Sequence, residues 1–375
     1  MTASLSIDRT KIEEIGTDGL VDWKTGIPSV SVTLRQLEYG NIEFWKQLAN
    51  TTTADTLVNF TDFKTPKSDI ACYKTDDNAV FLGTIWYPEL RCAGFSLSIG
   101  DPEALIERSF SLVGEDEIVY QGANEYVIQL IDALASGVGH TIQIGTGTYA
   151  NYPAPVDDPD NSGTMFIRGL RVRSGTTTAL TEGTDFTWAT DTITIPASLS
   201  GDTYKFYYSA ASYITGVEPF VSNSSDLAGI SADSCSVYLQ TSNYVYRLQS
   251  VSIDVAFDRF DVKEIGNSNV VTTGTKDITT TVTLGKILED WTIEEILRGE
   301  SADYGKIDPK EFSSDISLIV KVYSDANKGT FKCGYKLTGL APTGLEGGVP
   351  LNDYVTRGCT LEGESGLITS VEGSL

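Results

Sequence analysis

Ser4-Leu5-Ser6-Ile7-Asp8, Lys11-Ile12-Glu13-Glu14-Ile15-Gly16, Ser31-Val32-Thr33-Leu34 and Ile42-Glu43-Phe44-Trp45 follow one another near the start of the chain. A little under 250 residues later the phrase returns as Ser250-Val251-Ser252-Ile253-Asp254, Asp261-Val262-Lys263-Glu264-Ile265-Gly266, Thr281-Val282-Thr283-Leu284 and Ile293-Glu294-Glu295-Ile296. Between Lys11 and Leu34 the copies align without a gap. A closing phrase also recurs, Arg108-Ser109-Phe110-Ser111-Leu112-Val113-Gly114-Glu115 against Arg357-Gly358-Cys359-Thr360-Leu361-Glu362-Gly363-Glu364. A domain written twice in one chain implies pseudo-symmetry, and pseudo-symmetry suggests rings.

Working outward, residues 3–14 and 28–37 alternate as strands, the second with Val30, Val32 and Leu34 on one face. Asn41 is the expected N-cap of a helix Ile42–Ala49 whose apolar face is Ile42, Trp45, Leu48 and Ala49. A polar, Thr-rich loop over 51–68 precedes strands near 69–75, 80–87, 91–99 and 105–114. The second copy has strands near 235–241, 244–264 and 270–285, then a helix at 287–298 with Ile287, Leu288, Trp291, Ile293, Ile296 and Leu297 inward and Gly299 as its stop. A loop over 300–313, strands at 315–323, 329–338 and 353–362, and a weakly ordered tail from Ser365 complete it. Between the copies, Val127, Leu130, Ile131 and Leu134 predict an amphipathic helix over 123–137, and 180–188, 191–196 and 201–208 predict a small antiparallel β module. The expected division is therefore 1–116, 117–215 and 216–375.

The 375 residues carry a formal net charge of −24, a field that repels nucleic-acid phosphates and anionic membranes. No apolar run approaches the roughly 20 residues of a membrane span. Met1-Thr2-Ala3-Ser4 shows no secretory signal, so synthesis and first assembly are expected in a cytoplasm. Cys72, Cys92, Cys235, Cys333 and Cys359 form no CxxC pair and are expected to be reduced, buried, small hydrophobic side chains.

At Glu14-Ile15-Gly16 and Glu264-Ile265-Gly266 the chain resembles the tail tube proteins of tailed viruses. The second copy carries the resemblance further, through Phe260-Asp261-Val262-Lys263-Glu264-Ile265-Gly266, Gly274-Thr275-Lys276-Asp277, Val282-Thr283-Leu284 and Trp291 to Gly299. It covers roughly two thirds of the chain and leaves the middle module outside. The resemblance implies a mainly β fold: two tail-tube-like β-sandwich domains, each with a flanking short α-helix and a long loop, plus the inserted module. It implies that six such domains close a ring by joining sheets side by side, so three chains would form a homotrimeric ring with pseudo-sixfold symmetry. Rings would stack into a tube in the virion tail, with other tail proteins as partners and DNA passing without specific binding. The loops Thr51–Ser68 and Glu300–Ser313 would reach neighbouring subunits or rings. Closure would also remove exposed strand edges, and an acidic wall would let DNA slide.

Other chemistry is weak. His140 is the single histidine any Ser–His–Asp or Cys–His enzyme would need, and an ordinary loop histidine is the preferred reading. Asp158-Pro159-Asp160-Asn161-Ser162-Gly163 imitates the opening of a calcium loop, but Gly169 stands where a bidentate Glu is required. Gly145-Thr146-Gly147 lacks the third glycine of a dinucleotide loop. Glu13-Glu14 and Glu294-Glu295 recur at similar points of the two copies, which argues for structure or an interface. Trp45 and Trp291 read as core. No catalytic, cofactor or metal residue is assigned, no cofactor is expected, and the chain is read as a structural protein rather than an enzyme. The rivals are a baseplate hub or distal tail ring, a host-surface glycan-binding module in the middle region, and a carboxylate hydrolase with no preferred pair.

Overall fold

The computed structural model describes residues 1–12, 22–51, 56–76, 81–101, 103–121, 126–132, 138–156, 166–173, 176–197, 202–216, 229–240, 243–245, 247–263, 270–287, 291–298, 309–348 and 355–375. The protein is mainly β, in antiparallel sheets, with two short α-helices among the described residues. In chain order the elements are β1 (Thr2–Ile12), β2 (Asp22–Leu37), α1 (Glu43–Ala49), β3 (Leu57–Asn59), β4 (Ser68–Thr75), β5 (Phe81–Ile99), β6 (Glu107–Gly114), β7 (Ile118–Gln121), β8 (Tyr126–Asp132), β9 (Val138–Gln143), β10 (Phe166–Arg173) and β11 (Thr176–Leu180). They continue with β12 (Thr187–Ala189), β13 (Thr192–Ala197), β14 (Thr203–Ala210), β15 (Cys235–Leu239), β16 (Asn243–Tyr244), β17 (Leu248–Lys263), β18 (Val270–Ile287), α2 (Thr292–Arg298), β19 (Ile316–Tyr323), β20 (Phe331–Gly348), β21 (Thr356–Gly363) and β22 (Ser365–Thr369).

Two compact units divide the chain. Unit 1 is Met1–Ser68, Glu89–Asp116 and Ser225–Leu375, and unit 2 is Asp69–Pro88 and Glu117–Ser224. Both repeats thus contribute to unit 1, while unit 2 takes in residues 69–88 along with the stretch between the repeats.

Unit 1 is built on one open sheet in the order β1-β2-β6-β5-β17-β18-β21-β20. The first four strands come from the first repeat and the last four from the second, in the same order. Their registers agree residue for residue. Lys11 faces Trp23 and Arg9 faces Thr25 in the first repeat; Asp261 faces Thr273 and Arg259 faces Thr275 in the second, each pair 250 positions later. Both hairpins shift register at the same place, after Ile7 and after Phe257. Val32–Leu112 and Leu34–Phe110 correspond to Val282–Leu361 and Leu284–Cys359. This corrects one detail of the sequence alignment. Ser4 faces Ser31 and Asp254 faces Thr281, so Ser4 corresponds to Asp254 and not to Ser250. The shared bulge, invisible in the letters, fixes the match.

The apolar face of the sheet packs on α1, whose Trp45 lies edge-on to Phe95 and Phe110 at 4.7 Å and meets Tyr335 at 6.1 Å. Gly339 (φ 67) lies where β20 changes partners. Residues up to Leu340 pair with β19 and β22, and those from Ala341 onward pair with β21. Glu89 (φ 55) stands at the matching point of β5. There, however, residues 83–86 pair with β7 inside unit 2.

Unit 2 contains a four-stranded sheet, β11-β10-β14-β8, and a three-stranded one, β12-β13-β9. Ile128, Leu130, Phe206 and Tyr208 from the first share a core with Ile142, Ile193 and Ile195 from the second. Trp86, Tyr120, Val127, Leu170 and Tyr207 form a second cluster, with the Trp86 and Tyr207 rings stacked at 5.5 Å.

Several expectations change. The segment expected as a helix over 123–137 holds the strand β8, because Ile128, Leu130 and Asp132 alternate inward against β14 while Ile131 is exposed. Its flanks, like Gly299, Leu288, most of 300–313 and the Glu-Ile-Gly turns with Ile15 and Ile265, lie outside the described residues. The N-cap of α1 is Ile42, with no side-chain cap, and Asn41 instead offers its carbonyl to Arg108 Nη1 at 3.3 Å. Trp291 is 53 % exposed, because α2 begins at Thr292 and buries only Ile293, Ile296 and Leu297 of the expected face among the described residues. The 51–68 loop carries β3 and two fully buried rings, Phe60 and Phe63. The tail is a strand, β22, held between β20 and β3, with Ile368 and Thr369 buried.

Candidate functional site

The feature that sets this chain apart is the join between its repeats, together with the two edges that the join leaves free. β5 and β17 pair antiparallel, Gly94 opposite Ala256, Phe95 opposite Val255, Ser96 opposite Asp254 and Leu97 opposite Ile253. A Cβ on Gly94 would lie 2.6 Å from the Val255 carbonyl oxygen, so glycine lets the strands approach. β3, from the loop after α1, adds a second seam by pairing with β22, Val58 opposite Ile368.

Arg259 locks this seam. Its Nε donates to the Cys92 carbonyl at 3.0 Å, Nη2 to the Phe63 carbonyl at 2.7 Å, and Nη1 to Lys64 O and Thr275 Oγ1. Burial pulls its pKa down to about 10. Deeper in, Glu38 and Arg108 form an ion pair at 3.3 Å with both side chains fully buried. Glu38 also accepts from Tyr335 Oη at 2.6 Å and from the Gly40 amide at 2.7 Å. Burial, then the Glu38 charge, hold the Tyr335 hydroxyl well above the usual tyrosine range. Glu38 and Arg108 belong to the first repeat and Tyr335 to the second, so the network ties the repeats through the core. The corresponding arginine of the second repeat, Arg357, donates from Nε to the buried Glu294 at 2.8 Å. Glu294 thus has a structural role, but the offset of 250 that relates the two hairpins sets Glu13-Glu14 against Lys263-Glu264 and not against Glu294-Glu295; Glu13-Glu14 lie outside the described residues. Sequence reasoning did not single out Glu38 and Arg108, although a signal existed: Arg108, Phe110 and Leu112 alternate onto one face, and that face is the core.

Two edges stay open. Among the described residues β1 pairs with β2 alone, and residues 341–348 of β20 pair with β21 alone. Leu5 and Ile7 of β1 are 44 % and 41 % exposed.

The face of the sheet turned away from α1 carries small hydroxyls: Ser4 and Ser31, Ser109 and Ser111, Ser96, Ser252, Thr281 and Thr360. Ser96 and Ser109 share a hydrogen bond at 2.8 Å, and Ser252 donates to Asp254 at 2.6 Å. Glu107, Asp254, Glu346 and Glu362 add carboxylates to this face, and Arg35 a guanidinium. A surface of short neutral hydroxyls with excess negative charge offers a polyanion little to bind.

The other residues singled out in the sequence do not assemble a reaction centre. His140 lies on β9, not in a loop, and bonds Asp132 of β8 through Nε2; Tyr149 donates to the other oxygen of Asp132 at 2.8 Å. The three tie one sheet of unit 2 to the other. The Asp158–Gly163 segment lies outside the described residues, and no metal-holding group of carboxylates, thiols and imidazoles occurs among those described. Gly145 and Gly147 sit at positive φ in a tight turn closed by the Gly145 amide on Tyr149 O at 2.9 Å. All five cysteines are free, three of them buried. No helix among the described residues is long and apolar enough to cross a membrane. No family model matches the chain, and no curated protein matches it either.

Proposed function

We propose that the chain is a structural subunit of a tailed virus, a tail tube protein whose two tube-like β domains, with the β module of unit 2, assemble as stacked trimeric rings around a channel for DNA. The observation that carries this reading is the head-to-tail join: two repeats share one sheet edge to edge, and the joined edges leave the same two kinds of edge open at the ends. Such a contact is heterologous, so repeating it makes a closed ring or a filament. The hydroxyl-rich, acidic face supports the reading as a channel wall along which phosphates slide, with the assembly located in the virion tail.

Native mass spectrometry with sedimentation of the purified chain tests it. The expected result is a three-chain layer and its multiples, rising with concentration. Single three-chain rings that never stack would instead favour a baseplate hub or distal tail ring. A monomer at all concentrations would count against both.

A further inference from the structure

We propose that residues 344–347 of β20 receive β1 of a second copy of this chain at one register: Gly344 opposite Ser6, Leu345 opposite Leu5, Glu346 opposite Ser4 and Gly347 opposite Ala3. The proposal rests on the ring reading above and adds to it the two strands, their direction and their register.

The argument transfers the internal join. β20 is the counterpart of β5. Cys92 faces Leu112, the register then shifts, and Gly94 and Phe95 face Ser111 and Phe110. In the second repeat Pro342 faces Leu361, the register shifts at the same step, and Gly344 and Leu345 face Thr360 and Cys359. β1 is likewise the counterpart of β17, with the same shift after Ile7 as after Phe257. Each open edge is therefore the twin of an edge already joined, and the pairing of Gly94, Phe95, Ser96 and Leu97 with Ala256, Val255, Asp254 and Ile253 fixes the intermolecular one.

Side chains agree with this register. Gly94 is required by the Val255 carbonyl, whereas a Cβ on Gly344 would meet nothing nearer than Thr360 Cβ at 3.6 Å within the chain. A neighbour's β1, with the Leu5 carbonyl where Val255 stands, gives Gly344 the same need. Leu5, exposed in the single chain, is covered by Leu345 on the core face, as Val255 meets Phe95. On the hydroxyl face Ser96 stands opposite Asp254, and the new pair is Glu346 opposite Ser4. A carboxylate meets a hydroxyl in both, with the sides exchanged, and like charges are kept apart.

The test mixes two full-length variants, Leu5→Cys and Leu345→Cys, and oxidises the assembled sample mildly. A 5–345 cross-linked peptide, found by mass spectrometry, is the expected result. A mixture of Leu5→Cys with Gly347→Cys, two residues out of register on the same face, should give far less. Assemblies that form without the 5–345 link, or that link 5 to 347 preferentially, would overturn the register and leave the ring reading standing. A chain that stays monomeric and unlinked would overturn both. A second pair of variants separates folding from assembly. Gly344→Val should keep the parent's thermal transition and lose its assemblies, while Gly94→Val should lose the native fold itself. Assemblies of normal mass from Gly344→Val would also overturn the proposal.

Discussion

Glu38 and Arg108 show how much a single buried pair decides here. Neither side chain reaches solvent, and Glu38 accepts from Arg108, Tyr335 and the Gly40 amide at once. Glu38→Ala strands a buried guanidinium, so unfolding free energy in urea should fall by about 3–5 kcal/mol. Tyr335→Phe removes one hydrogen bond to a charged acceptor and should cost about 1.5–3 kcal/mol. Equal losses for the two variants would contradict the network. Buried acids also set the response to alkali. Burial pushes the Cys92, Cys235 and Cys359 thiols up to about 12 from an ordinary 9.0, and lifts Tyr335 well above its ordinary 10.0. The folded state therefore keeps protons that the unfolded chain releases. That stability is complete below about pH 9 and is lost as pH rises toward the folded-state values. The urea midpoint should hold from neutral to mildly alkaline pH and then fall steadily, and a flat profile through about pH 11 would contradict it. At this scale Trp45 was legible because its helical neighbours share its face. Trp291 was not, because a late helix start turned it outward.

Strands were legible wherever alternation met a repeat, and lost wherever spacing fitted two periods. Val127, Leu130, Ile131 and Leu134 match a helix, yet Ile128 and Leu130 alternate toward the core of unit 2, and pairing with β14 decides the matter. The tail read as loose because its six residues after Thr369 hold few apolar side chains; β22 is ordered by its neighbours on both sides and not by its own composition. Removing residues 365–375 should consequently unfold unit 1, seen as loss of the cooperative thermal transition, whereas an idle tail would leave that transition unchanged. Unit 2 carries a related lesson. A module between repeats looks removable, but Trp86 is buried against Tyr207 and Tyr120. Deleting 117–215 alone exposes that tryptophan, and the shortened chain should bind a hydrophobic dye more strongly than the parent. A clean excision would have to include residues 69–88, and an unchanged dye signal from the shorter deletion would contradict this.

Across the whole molecule, the order of the sheet carries the account. The repeat was legible in the residues themselves, whereas the side-by-side joining of the copies was expected only from the resemblance, since pairing between distant strands leaves no periodic mark in either. The free edges at β1 and β20 follow from that order, and so does a continuous hydroxyl-rich face. If that face lines a channel, charge on it governs passage. Replacing both Asp254 and Glu362 by Lys should make assembled particles retain double-stranded DNA at low salt and release it as salt rises, while parent particles retain none. Parent-like behaviour of the double variant would place the face elsewhere.

The most direct test is electron cryo-microscopy of assembled particles at a resolution that traces strands. The account predicts three chains per layer, a single sheet closed around the channel through β20 of each chain and β1 of the next, and Ser96, Asp254 and Glu346 facing the lumen. Layers joined through other strands, or a channel lined by the apolar face, would contradict it.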